Sequence, residues 1–115
     1  MPHPFDYLRH EEYPDAPPIE DYTSETISDS RDETITILTA EVEPGKWVAG
    51  YSVFWLNHRH SFLAPSLANG WFDSQRAAKL YYLGFMHGYL RFFTMDNQSA
   101  IINAINKYQQ ASLFE

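Results

Sequence analysis

His58 and His60 stand two residues apart, and on a strand that spacing puts both rings on one side. Such a pair can supply two ligands to zinc or another borderline metal, with His87 or Glu41 as a third. Flanked by Arg59 and Ser61, the two histidines suit turn and hydrogen-bonding roles better, so neither metal nor other cofactor is expected. Other chemistry has less support. The five glycines are scattered and none forms a phosphate-cradling GxGxxG or GxxxxGK loop. The serines lack the context of a nucleophile elbow. Without cysteine the chain has no disulfide, thiolate metal ligand or thiol nucleophile. Carboxylates crowd the N-terminal third, where nothing would hold a general acid or base at fixed geometry. A non-enzymatic protein is the expectation.

The elements that must position these residues follow from composition and period. A chain of 115 residues supports one domain with one modest core, and eight Phe, eight Tyr and three Trp supply bulk for it. Charge is uneven. Residues 1–33 carry ten acidic groups against Arg9 and Arg31, a net −8, while residues 34–115 carry six basic and five acidic groups, a net +1. An acidic segment on a nearly neutral body argues against a nucleic-acid binder, which needs a basic face to release phosphate counterions, and favours basic partners. The N-terminus shows no basic region followed by an apolar run, so no secretory signal is expected and the cytoplasm is the expected location. The longest uncharged apolar stretch, Leu80 to Leu90, is too short to cross a bilayer.

Five of the seven prolines and an aperiodic run of carboxylates fall in the first thirty or so residues. That composition predicts an extended acidic arm over residues 1–32. Phe5, Tyr7, Tyr13 and Tyr22 are interleaved there with Glu11, Glu12, Asp15, Glu20 and Asp21, so the arm either lies on its own body or docks in a basic, partly apolar groove of a partner. From Glu33 the pattern changes. TITILTAEV alternates, with Ile35, Ile37 and Val42 as inward candidates, and Pro44-Gly45 predicts a tight turn into KWVAGYSVFWL. Both faces of this second run are largely apolar, which predicts a central strand covered on both sides. NHRHSFLA reads as a turn and a third short strand, followed by a loop punctuated by Pro65, Asn69 and Gly70.

Asp73 or Ser74 can cap a helix with Ala77, Leu80, Tyr81, Gly84, Phe85, Gly88 and Phe92 as its inward stripe. Thr94 or Asp96 can cap a second, with apolar positions at Ile101, Ile102, Ala104, Ile105 and Tyr108, after which the period stops. The expected fold is therefore α+β: a small antiparallel sheet of two to three strands on two C-terminal helices, with an arm (1–32), a body (33–109) and a C-terminal tail (110–115). Tyr51, Trp55 and Phe62 could stack nucleic-acid bases on such a sheet, yet basic groups are few and a helix must cover one face, so core packing is the better account.

The chain ends QQASLFE, placing Leu113 and Phe114 where apolar residues are least expected. Gln110-Ala111-Ser112-Leu113-Phe114 resembles the short peptide by which bacterial DNA polymerases, repair proteins and many phage or plasmid proteins engage the β sliding clamp. In that family the pattern is Gln, often Leu, Ser or Asp, then Leu and Phe; Ala111 stands at the second position, and the other four agree. The resemblance implies Gln110, Ser112, Leu113 and Phe114 as partner-binding residues, and a clamp-tethered module of a bacterial, phage or plasmid DNA-processing system. In size and charge the chain also resembles small acidic phage inhibitors of the anti-CRISPR or anti-restriction type. That alternative implies an arm seated in the nucleic-acid-binding groove of a basic host protein. No membrane partner and no direct nucleic-acid partner are expected.

Overall fold

A computed structural model describes residues 5, 8–30, 33–55 and 59–113. Four strands, β1 (Thr23–Asp29), β2 (Thr34–Glu43), β3 (Lys46–Phe54) and β4 (His60–Leu63), form an antiparallel meander in the order β1-β2-β3-β4. Two helices follow, α1 (Gln75–His87) and α2 (Met95–Leu113). The α+β class thus agrees with the sequence pattern, but the sheet has four strands instead of two to three.

The β2–β3 hairpin forms where expected. Ile35 faces Val53 and Ile37 faces Tyr51 across the pair, and Gly45 takes the turn at φ 77°, a conformation side-chain-bearing residues rarely adopt. β3 lies inside the sheet and is covered on both faces, so Val48, Ala49 and Val53 are all buried. On one face α1 and α2 pack over Ile35, Ile37 and Val53 through Leu80, Leu83, Ile101 and Ile105. On the other, the chain at Leu63–Pro65 presses on Gly50 so closely that an added Cβ would sit 1.9 Å from the Leu63 carbonyl oxygen. Only glycine fits there.

The additional strand, β1, lies inside the segment expected to be an arm. Its sequence pattern is weak because Ile27 is its one apolar inward residue and a register shift beside it breaks the alternation, while the neighbouring inward positions are polar: Glu25 pairs in register with Ile37, and Ser28 with Ile35. Partners on the helices satisfy both. Glu25 accepts hydrogen bonds from Lys79 Nζ of α1 at 2.5 Å and from the Tyr108 hydroxyl of α2, 2.5 Å to Oε2. The Ser28 hydroxyl donates to Asn97 Oδ1 on α2. Upstream of β1 the chain is docked on the body. His10 forms a two-way backbone bridge with Trp71 and stacks on its ring at 4.2 Å. Ile19 N–H donates to the Pro65 carbonyl, Lys46 Nζ to the Tyr13 hydroxyl, and the Arg9 guanidinium lies 5.0 Å from the Tyr81 ring centre. Tyr7 lies outside the described residues.

Ser74 caps α1, its Oγ accepting the Ala77 N–H at 3.0 Å. The helix ends at His87, with Gly88 as its C-cap in right-handed geometry, and Leu90–Phe92 follows as a single 3-10 turn, so the inward stripe expected to continue to Phe92 stops about one turn short. Phe92 is consequently more than half exposed. Thr94 starts α2, its Oγ1 accepting from the Asn97 N–H at 3.4 Å. Ile101 and Ile105 face the core, but Ile102 points outward, a departure from the expected apolar stripe. Among the described residues no helix is long and apolar enough to cross a membrane.

Candidate functional site

The early end of α1 builds the main cleft. With the helix stopped at Gly88, the chain turns sharply and brings Phe85, Tyr89, Phe92 and Phe93 around the end of the sheet, where Tyr51 and Trp55 of the β3 run meet them. These six rings and Met86 line a cavity of about 590 Å³. Ring centres are 5.1 Å apart for Phe85 and Tyr89, and 5.9 Å for both Tyr51–Phe85 and Trp55–Phe93. Such spacings are those of favourable aromatic pairs, so the walls hold one another in place. The size is that of a small-molecule pocket, not of a broad protein interface.

Three polar residues enter the cleft: Glu33, Arg59 and Ser61. Glu33 precedes β2 and is 5% exposed. Its Oε1 accepts the Thr94 N–H at 3.1 Å and the Asn97 side-chain amide, so a carboxylate sits at the first turn of α2, where the helix dipole favours it. Both bonds fall on Oε1, and elsewhere in the cleft lining the Trp55 indole N–H is buried without a hydrogen-bond partner among the described residues. The Ser30 hydroxyl fixes the approach, accepting the Glu33 N–H at 3.0 Å and donating to its carbonyl at 2.9 Å. Asn97, fully buried, joins Glu33 to Ser28, so one polar chain links the sheet edge, the helix start and the cleft floor. Arg59 is exposed. A second, smaller cleft of about 290 Å³ lies beyond Tyr51 and takes one wall from the docked N-terminal segment, through Arg9 and Glu11.

The residues singled out in the sequence are dispersed. His60 is exposed, bonded to Ser52 Oγ at 3.1 Å and stacked on Phe54 at 3.9 Å, whereas His58 lies outside the described residues. Among the described residues no three metal-ligating side chains converge. Tyr51 and Trp55 face the helices while Phe62 is half exposed on the opposite face, so the three do not form one platform. Glu11, Glu12, Asp15, Glu20 and Asp21 remain exposed along the docked segment, and Tyr13 is partly so; Phe5 and Tyr22 are half buried. At the other end, backbone helix continues through Gln110 to Leu113. The expected tail is therefore the last turn of α2. No glycine or proline stops the helix there, and Gln and Ala propagate it without an inward stripe. Gln110 is exposed; the side chains of Ser112 and Leu113 and all of Phe114 lie outside the described residues.

Glu33, Tyr89, Phe93 and Asn97 were not singled out in the sequence. One signal was present: GFMHGYLRFF packs four aromatic residues around two glycines at a helix end, a composition that bends the chain and leaves rings uncovered. No protein-family profile, curated protein or solved structure matches the chain.

Proposed function

We propose that this protein is a non-enzymatic, cytoplasmic interaction module of a bacterial, phage or plasmid DNA-processing system that engages the replication β sliding clamp through residues 110–114. The observation that supports this reading is the position of Tyr108. It is the last side chain of α2, among those described, that packs against the core, and the clamp-like peptide begins two residues beyond it. Gln110 stands exposed at the start of the peptide. An extended binding mode requires only the final helical turn to unwind, and that turn lacks the onward hydrogen bonds of a helix interior. Leu113 and Phe114 would then fill an apolar pocket while Gln110 makes polar contacts at its edge. So short a peptide yields micromolar affinity, which a ring-shaped, multivalent clamp raises through avidity.

Titration of purified clamp by fluorescence anisotropy tests this reading. Full-length protein should bind and Phe114→Ala should lose at least tenfold, about 1.4 kcal/mol; undiminished binding by that variant removes the clamp as partner. A second reading, the acidic inhibitor of a nucleic-acid-binding host complex, draws support from the row of exposed carboxylates on the docked segment. Because β1 lies within the first 30 residues, truncation there would remove a strand. Neutralising Glu12, Asp15, Glu20 and Asp21 to their amides is the cleaner test. Inhibition should fall steeply while clamp binding survives.

A further inference from the structure

The aromatic cleft has no part in the clamp reading, and its chemistry specifies a ligand independently. We propose that it is a binding site for a small organic ammonium ion, a cationic nitrogen carried on an aryl or short alkyl body. The volume of about 590 Å³ suits a small molecule, and the walls are aromatic rings and a thioether. Neutral apolar, anionic and cationic ligands would all gain from those walls. The polar groups decide among them.

Glu33 and Arg59 carry opposite charges into the cleft but do not weigh equally. Glu33 is 5% exposed, whereas Arg59 is exposed and water screens it. At equal separation, a charge pair near the protein interior interacts about four times as strongly as in bulk water. The first turn of α2 contributes about half a positive charge and so offsets part of the carboxylate, but not all of it. The Thr94 N–H and the Asn97 amide hold the carboxylate in place through Oε1. The buried carboxylate therefore gives the floor a net negative character. Aromatic walls add to the same preference, because ring quadrupoles attract cations and do so best where water is excluded. An anion could take the Trp55 indole N–H, a buried donor without a hydrogen-bond partner among the described residues, and the screened guanidinium, but would face the buried Glu33 carboxylate in the same cleft. A neutral ligand would gain nothing from the Glu33 charge.

The test is a titration of the full-length protein at neutral pH with three probes of nearly equal shape: phenethylammonium, 2-phenylethanol and 3-phenylpropionate, followed by amide and indole shifts in ¹H–¹⁵N spectra. The expected result is saturable binding of the ammonium, with shifts at Trp55, Tyr89 and Phe92, and affinity on the order of tenfold above that of the alcohol or the acid. Equal binding of the alcohol, tighter binding of the acid, or no saturable shift with the ammonium each overturns the proposal. Tyr89→Leu and Phe92→Leu change exposed rings, leave the core intact, and should each weaken the ammonium severalfold. Glu33→Gln should erase the preference for ammonium over alcohol while keeping the alcohol's affinity. Should that variant fail to fold, because Glu33 also caps α2, the comparison of the three probes on the unaltered protein still decides.

Discussion

Glu25 shows how one side chain can join three elements. Burial alone would raise its pKa, but hydrogen bonds from Lys79 and Tyr108, with the Lys79 charge, hold it below the ordinary carboxylate value. A depressed folded pKa contributes stability that is complete above the unfolded value, near 4.3, and is lost as pH falls through the folded one. The Tyr108 phenol is shifted the other way, upward, by burial and then by its bond to Glu25. Its contribution is complete below the unfolded value, about 10, and disappears as pH rises through the folded one. Urea midpoints measured against pH should therefore fall below pH 4 and again above pH 10, and Tyr108→Phe should flatten the alkaline limb. Gly50 gives the sharpest steric prediction. Alanine there collides with the backbone at Leu63 and Pro65, which cannot swing aside as a side chain would. We expect Gly50→Ala to cost about 3 kcal/mol or more in denaturant unfolding.

At the scale of elements, hydrophobic period revealed what hydrophobic contact holds together. The β2–β3 hairpin, its turn at Pro44-Gly45, the burial of β3 on both faces and the start of α1 were all legible, because Ile35, Ile37, Val48 and Val53 announce their side by type and Ser74 announces a cap. β1 was not, since TSETISD has a single apolar inward residue, Ile27, and the partners of its polar ones, Lys79, Asn97 and Tyr108, lie more than fifty residues away. Proline and acid content suggested an arm, but only the pairing of His10 with Trp71 and of Ile19 with Pro65 shows where it runs. The cleft was the least legible part. Its rings come from β3, α1 and the turn that follows, and its carboxylate precedes β2; no local spacing brings those together. Two helix predictions belong here. Ser74→Ala should lower stability by about 1 kcal/mol, read from chemical denaturation, by leaving the Ala77 N–H without its cap. Gln109→Gly, which loosens the end of α2 by about 1 kcal/mol, should lower the melting temperature by a few degrees and yet preserve or improve clamp binding if the peptide binds extended.

Across the whole molecule, the N-terminal segment is a structural component. It forms a wall of the smaller cleft, stacks on Trp71 and places Arg9 where a side chain at Gly70 would otherwise collide with it. Deletion of residues 1–20 should lower the melting temperature by several degrees, roughly the effect of 1–2 kcal/mol on a domain of this size. An unchanged melting temperature would mean that these contacts contribute little. The segment from His10 to Ile19 is thus consumed in building the body, whereas Tyr108 is the last side chain of α2, among those described, that packs against the core.

The seam that fastens β1 has one more consequence. An outermost strand tied down largely by ionisable and hydroxyl groups, with Ile27 alone adding an apolar contact, can detach in acid before the interior melts. What such a peeling event uncovers is the free rim of β2, a row of main-chain donors and acceptors ready to accept a foreign strand. Storage below about pH 4 should thus foster self-association from that rim, with deuterium uptake rising first across residues 23–29 while α1 and β3 stay protected.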